Sequence, residues 1–379
     1  MPAWLDDLAR ARLGALDAAG LRRRLRAADA GSALVDVASN DYLGLRRDPL
    51  LVERACAWTR AFGAGSGASR LISGTTEAQL AVEARLAAFK GTEAALVLGG
   101  GFQANATLLP MLLAEMGDAL VYADRLNHAS LHHGLAAAGV RQNRFRHNDL
   151  DHLEGLLRRD EAKPGRRLIV TESVFSMDGD RADLAALAGL AERYGAALYL
   201  DEAHATGVLG PRGAGLAAEL PGHGAVVMGT LGKALGGFGA YVAGSRALVE
   251  LVVTRCAGFI YATAPPPSVF GALDAALDRV PAMDGARARL LDLAGVVRGV
   301  LAASGLDHGP STTQIVPVIV PDPLEAQAHL EEAGFRAIAI RPPTVPAGSG
   351  RIRLSLNAGL TDDEVGRLVA ALPDLAAPA

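Results

Sequence analysis

The stretch Gly229-Thr230-Leu231-Gly232-Lys233-Ala-Leu-Gly236-Gly237 puts an amine in a loop whose glycines let the backbone approach a ligand closely. An ammonium can lose its proton where a guanidinium cannot, so this amine can attack an aldehyde and form a Schiff base. Only Lys90, Lys163 and Lys233 among the 37 basic side chains are lysines. Lys90 ends an amphipathic helix before Gly91, and Lys163 lies in the charged loop 160–167; both have ordinary explanations. Lys233 is therefore the Schiff-base candidate, with Thr230 a possible phosphate donor. A nucleotide-hydrolysing P-loop is disfavoured, because Ala234 stands where Ser or Thr is needed and the first glycine is missing at the required spacing.

Ala197-Leu-Tyr-Leu-Asp201-Glu-Ala-His204 reads as a buried strand delivering a carboxylate, with an imidazole three residues on. Such a carboxylate can hold a pyridinium N–H, a charge-assisted bond worth about 1.5–3 kcal/mol. A metal pair, or an Asp that caps the next helix, fits the same spacing. Leu98-Gly99-Gly100-Gly101-Phe102-Gln103-Ala-Asn105 reads as strand, glycine turn and helix start, where free N–H groups can receive a phosphate; a plain tight turn is the alternative. His128, in Asn127-His128-Ala129-Ser130, can lie over a flat ring or serve as a structural histidine. Arg351-Ile-Arg353-Leu-Ser355 alternates, so one arginine can clamp a carboxylate, or the three polar residues can form the wet face of an edge strand.

Positioning these residues requires a sheet. Six apolar runs, Ala95–Leu98, Leu120–Ala123, Leu168–Thr171, Ala197–Leu200, Val226–Met228 and Tyr241–Ala243, alternate with amphipathic stretches and predict a mainly parallel sheet built from βαβ units. Each run ends in glycine or a reactive side chain. Ligands bind beyond the carboxyl ends of parallel strands, so these endings converge on one crevice. Ala264-Pro-Pro-Pro267 breaks the alternation ahead of a long helical segment and a small α+β tail.

The chain of 379 residues carries a formal net charge of −4 with interspersed signs, so no basic field for nucleic acid is expected. No run reaches the roughly 18 apolar residues of a membrane span, and residues 1–30 lack the apolar core of a secretory signal. Cys56 and Cys256 have no partner at metal or redox spacing, which fits a reducing, cytoplasmic setting with no metal. No Gly-x-Gly-x-x-Gly fingerprint supports a nicotinamide enzyme, and no Gly-x-Ser-x-Gly elbow supports a serine hydrolase.

Taken together, Ser39-Asn40-Asp41-Tyr42-Leu43-Gly44, Gly101-Phe102, Asn127-His128-Ala129-Ser130, Thr171-Glu-Ser-Val-Phe-Ser176-Met-Asp-Gly, Asp201-Glu-Ala-His204 and Gly229-Thr-Leu-Gly-Lys233 resemble the α-oxoamine synthases over nearly the whole chain. These pyridoxal 5'-phosphate enzymes condense an amino acid with an acyl-CoA and release carbon dioxide. The resemblance implies an α/β, aspartate-aminotransferase-like fold of type I, with a large domain on a mainly parallel sheet and a smaller α+β domain. It divides the chain into residues 1–45, an N-terminal helix and joining segment, 46–270, the large cofactor-binding domain, and 271–379, the small domain.

By position, the resemblance implies that Lys233 carries the cofactor, Asp201 meets the ring nitrogen, His128 stacks on the ring, and Ser176 and His204 contact the phenolic oxygen. Gly101, Phe102 and Thr230 would lie by the phosphate or ring. Thr263 would reach the phosphate of a neighbouring subunit in a homodimer with shared active sites. Asn40 and Arg353 would hold the amino-acid carboxylate, Arg22 would sit near the acyl-substrate channel, and Arg341 and Thr344 would bind substrate. Arg146-His-Asn-Asp149, the run Asp201–Gly210 and Arg341–Pro346 resemble most the branch that joins L-alanine to pimeloyl-CoA, or a pimeloyl-carrier protein, in biotin synthesis. Glycine-using ligases and serine palmitoyltransferase are the alternatives within the family. Two positions depart from its pattern: Ala262 stands where some relatives have serine, and Asn357-Ala-Gly-Leu360 replaces a small-residue run ending in histidine.

Overall fold

The structure is a computed structural model that describes residues 3–25, 27, 31–220, 225–342, 344–346 and 348–376. Its strands in chain order are β1 (Val35–Asp36), β2 (Ala94–Leu98), β3 (Ala119–Asp124), β4 (Gln142–Phe145), β5 (Arg166–Glu172), β6 (Ala196–Asp201), β7 (Ala225–Thr230) and β8 (Ala240–Gly244). Beyond them come β9 (Ile315–Ile319), β10 (Phe335–Arg336), β11 (Ala339–Ile340) and β12 (Arg351–Ser355). The large sheet runs β2-β8-β7-β6-β5-β3-β4, with β3 to β7 and β4 mutually parallel and β8 antiparallel to both its neighbours. All six predicted apolar runs are strands. β4 escapes the sequence reading because Gln142-Asn-Arg-Phe145, at the sheet edge, buries only Phe145 fully.

Helices cover the sheet because buried parallel strands need apolar cover on both faces. The helix Leu184–Arg193 places Leu184, Leu187 and Leu190 inward behind an Asp183 cap that accepts from Ala186 N–H, as its spacing predicts. The helix Glu77–Lys90 starts on a Thr76/Gln79 capping box. Lys90 does not end this helix in solvent. Its side chain is buried, with Nζ 2.7 Å from Glu202 Oε2, and it also donates to the Ala214 carbonyl. Glu202 in turn accepts from Ala217 N–H at 2.8 Å, so the pair fastens the loop that follows β6.

A second sheet of three strands, β11-β12-β9, is antiparallel throughout. β12 lies at its centre, which corrects the edge-strand alternative for Arg351, Arg353 and Ser355. Arg351 is buried and bonds Asp178 at 2.6 Å, so it serves as an anchor for the 173–182 turn. β1 pairs in parallel with β10, and residues 37–44 continue alongside β12: Ser355 N–H donates to the Val37 carbonyl at 2.7 Å and Ala358 N–H to that of Tyr42 at 2.9 Å. Asn357, one of the departures noted above, donates through Nδ2 to the Asp41 carbonyl and so pins the turn that carries Asn40 and Tyr42.

Another polar clamp joins three segments at the sheet's carboxyl edge. His147 Nδ1 lies 3.0 Å from Asp124 and Nε2 2.8 Å from Asp180, while Asn148 holds both carboxylates through its N–H and amide. Burial alone disfavours the charged ring, but the hydrogen bonds to Asp124 and Asp180 outweigh it and raise the His147 pKa to about 10. A pKa above the unfolded value stabilises the fold fully below pH ~6.5 and loses that contribution as pH climbs through about 10. Denaturant midpoints should therefore fall between these limits. In His147→Leu that slope should flatten, and stability at pH 7 should drop by about 3–5 kcal/mol, because two enclosed carboxylates lose their cation.

Candidate active site

Parallel pairing sets Glu172 at the end of β5 beside Asp201 at the end of β6, and β7 delivers Thr230 and the Lys233 loop next to them. That loop is tied to itself: Leu231 N–H donates to the Gly239 carbonyl, Gly237 N–H to that of Leu231 and Gly236 N–H to that of Lys233, each at 2.9 Å. Gly236 has φ +66°, and a Cβ there would come within 2.6 Å of the Leu45 backbone, so the loop's packing against residues 45–46 requires glycine.

Lys233 Nζ sits 2.9 Å from His204 Nε2. His204 Nδ1 is 2.6 Å from the Tyr42 hydroxyl, which is 3.1 Å from Asn40 Oδ1. Asn40 Oδ1 accepts from Arg353 Nη2 at 2.9 Å, and Arg353 Nη1 donates to the Ser176 carbonyl at 3.1 Å. One hydrogen-bonded line thus runs from the candidate amine to the candidate carboxylate clamp. Tyr42 is fully buried, and His204 keeps only 4% of its surface.

A second line orients Asp201. Asn105 Nδ2 donates to Asp201 Oδ2 at 2.8 Å and to Ser130 Oγ at 2.9 Å, and Ser130 Oγ lies 2.7 Å from His128 Nδ1. Tyr199 donates to Asn105 Oδ1 at 2.8 Å, which fixes the amide's orientation, and Asp201 Oδ1 accepts from Ala203 N–H at 2.9 Å. His128 is held from below as well, since its N–H donates to Glu172 Oε1. The sequence reading gave Asn105, Tyr42 and Glu172 no role; the one signal for Asn105 is a polar residue four positions after Gly101 on an otherwise apolar helix face.

Charges in this crevice are strongly perturbed. Burial lowers the Lys233 pKa to about 8, against the opposing pull of Asp201 and Glu172. Burial and the nearby Lys233 charge push His204 well below its ordinary value. Burial, then repulsion from Asp201, push Glu172 well above the usual carboxylate range. Such displaced values mark an enclosed reactive centre. The lowered pKa leaves more of Lys233 as free amine near neutrality than in a solvated lysine.

The crevice suits pyridoxal phosphate. A half-buried amine that loses its proton readily lies within electrostatic reach of a buried carboxylate, each of whose oxygens accepts only one hydrogen bond within the protein. The helix Gly101–Met116 begins at Gly100 without a side-chain cap, and a Cβ on Gly101 would meet Thr230 Cγ2 at 2.8 Å, so the two phosphate-side candidates are neighbours. Phe102 is exposed and packs on His133, with ring centroids 5.3 Å apart. Thr263 is exposed and bridges to Ser69.

The remaining candidates gather elsewhere. Arg22, Arg341 and Thr344 line a groove of about 570 Å³ whose walls include Leu21, Leu324 and Ile338 but none of Lys233, His204 or Arg353. Arg341 donates to the Gly20 carbonyl at 2.6 Å, Arg23 to Thr344 Oγ1 at 2.9 Å, and Arg22 pairs with Asp17 at 2.6 Å. Pro343, within the predicted Arg341–Pro346 loop, lies outside the described residues. A larger groove of about 880 Å³, between the helix Leu184–Arg193 and residues 216–220, holds none of the candidate residues. Among the described residues no cluster of His, Cys, Asp and Glu could hold a metal, and no helix is long and apolar enough to cross a membrane.

Comparison with known proteins shows the family. Residues 32–372 match the family described as aminotransferase class I and II. The chain is 60% identical over 354 residues to 8-amino-7-oxononanoate synthase of Gluconacetobacter diazotrophicus, covering 91% of this chain and 89% of that one. It superposes on serine palmitoyltransferase from S. paucimobilis, solved with a bound pyridoxal phosphate–myriocin adduct, with a TM-score of 0.89 at 28% identity over 99% of this chain and 98% of that one. With 8-amino-7-oxononanoate synthase from Francisella tularensis the TM-score is 0.76 at 25% identity, over 90% and 97% of the two chains. The chain belongs to the class I and II aminotransferase family of pyridoxal-phosphate enzymes, in its α-oxoamine synthase branch, and is an acyltransferase.

Proposed function

We propose that this enzyme condenses L-alanine with a pimeloyl thioester, on CoA or a carrier protein, to give 8-amino-7-oxononanoate, carbon dioxide and the free thiol, a step of biotin synthesis. The observation that supports the reading is the hydrogen-bonded line from Lys233 through His204, Tyr42 and Asn40 to Arg353, which joins the candidate amine to the candidate carboxylate receptor. Identity of 60% to a relative bearing the 8-amino-7-oxononanoate synthase name supports the choice of substrates.

Pyridoxal phosphate, when bound, supplies an electron sink for negative charge at the amino acid's α-carbon. Lys233 would hold it, Asp201 would keep its ring nitrogen protonated, and His128 would cover the ring. Ser176 and His204 would meet its phenolic oxygen, and Gly101, Phe102 and Thr230 its phosphate side. Arg353 and Asn40 would grip the alanine carboxylate, and the Lys233 amine would take the α-proton. The α-carbon would then bond to the thioester carbonyl carbon as the sulfur leaves as thiolate, to be protonated by solvent; the clamped carboxylate would depart as carbon dioxide, and Lys233 would return its proton to the same carbon. Arg22, Arg341 and Thr344 receive the acyl portion, and Thr263 reaches the phosphate of a second subunit in a homodimer.

Close superposition on serine palmitoyltransferase favours a second reading, in which serine and a long acyl chain are the substrates. A panel of alanine, glycine and serine against pimeloyl-, acetyl-, succinyl- and palmitoyl-CoA separates them. Alanine with pimeloyl-CoA should give the highest kcat/KM, by about 10–200-fold over glycine, the discrimination one methyl group allows. Preference for serine with palmitoyl-CoA would replace the proposal with the second reading.

A further inference from the structure

Tyr42 is buried, burial raises its pKa, and it touches the imidazole beside Lys233. The proton positions along this line can be counted. Arg353 Nη2 only donates, so the atom it meets on Asn40 is the amide oxygen, an acceptor. Tyr42 lies 3.1 Å from that same oxygen, and every group along the line is satisfied at once when its single hydroxyl proton points at Asn40. The phenol oxygen has only lone pairs left for His204 Nδ1, 2.6 Å away, so Nδ1 carries the ring proton. Burial keeps His204 neutral, which leaves Nε2 bare and facing Lys233 Nζ at 2.9 Å.

We propose that Tyr42 is a positioning residue that holds His204 as its Nδ1–H tautomer in the cofactor-free chain, so that Nε2 there accepts a hydrogen bond from the Lys233 amine. The groups facing this line are consistent with that direction. Gln314 Nε2 donates to the His204 carbonyl at 2.9 Å and its side chain also faces the phenol; Arg353, Lys233 and His128 surround the ring as donors or cations. The carboxylates that act on Lys233 are Asp201 and Glu172, on neighbouring strands. A bare Nε2 favours the protonated Lys233, whereas an Nε2–H would favour the neutral amine. Tyr42 thereby sets how readily Lys233 gives up its proton. This holds whichever amino acid and thioester the enzyme takes, so failure of the alanine assay would leave it standing.

Tyr42→Phe keeps the ring that fills the core and removes only the hydroxyl. With no acceptor at Nδ1, the imidazole proton moves to Nε2 and donates to Lys233. The test follows the pH dependence of pyridoxal phosphate capture by the full chain freed of cofactor, read as the rise in visible absorbance, since only the neutral amine reacts. The midpoint, near 8 in the unsubstituted protein, should fall by about one pH unit in Tyr42→Phe, with capture at pH 7 roughly fivefold faster. A purely structural role would weaken capture without moving the midpoint, and an unmoved midpoint overturns the proposal. Nitrogen-15 NMR of histidine-labelled, unsubstituted protein, with His204 assigned through His204→Gln, gives a second reading that needs no Tyr42 variant. Its bare ring nitrogen should be Nε2; an Nε2–H tautomer overturns the proposal.

Discussion

Lys233→Ala should show no covalent attachment of pyridoxal phosphate and lose turnover by at least about a thousandfold, because in the proposed mechanism the same amine both holds the cofactor and moves the α-proton. Neither of the other lysines can substitute. Lys90 is locked in a buried pair with Glu202, and Lys163 is an exposed side chain held 2.7 Å from Asp160. Borohydride treatment followed by peptide mapping should find the reduced adduct on Lys233 in the parent protein and nowhere in the variant. The variant should fold normally: its neighbour His204 is neutral, so no buried charge is stranded when the amine goes. Retention of a reducible adduct by Lys233→Ala would move the cofactor away from this loop and undo the assignment of the crevice.

Much of this crevice could be read along the chain, and physical reasons separate what could from what could not. Strands buried on both faces write themselves as apolar runs, and their carboxyl ends name the next residue, so Asp201, His204 and Lys233 were local signals. β4, a polar edge strand, carries no such run. Tyr42 and His204 stand 162 positions apart, Asn105 and Asp201 96, Lys90 and Glu202 112; nothing in the local pattern of either partner announces the other. Lys90 illustrates the cost, since a lysine before a helix-ending glycine looks solvated until the loop after β6 folds over it. The alternation Arg351-Ile-Arg353-Leu-Ser355 was legible, but not that β12 is flanked by strands on both sides, which turns a wet face into an anchor and a clamp.

Asp201→Asn should retain pyridoxal phosphate through Lys233 yet exchange the α-proton of alanine at least about a hundredfold more slowly. In the proposed mechanism the carboxylate's bond to a protonated ring nitrogen is charge-assisted, and about 3 kcal/mol lost only in the charge-accumulating step corresponds to that factor. Replacement by amide also disturbs the supporting line, because Asn105 already spends its Nδ2 on Asp201 and Ser130 and its Oδ1 on Tyr199. An NH2 group turned toward Asn105 would set donor against donor, loosening Ser130 and with it His128. Glu172→Gln is the matching control. Burial and the charge of Asp201 already favour the protonated form of Glu172, so the amide there is close to isosteric and isoelectronic, and exchange should slow by less than about tenfold. Deuterium exchange at the alanine α-carbon, followed by NMR without any acyl donor, measures both variants in the same step. Equal losses in the two would mean that burial of two carboxyl groups, and not the charge on Asp201, governs the reaction, and the role assigned to Asp201 would fail.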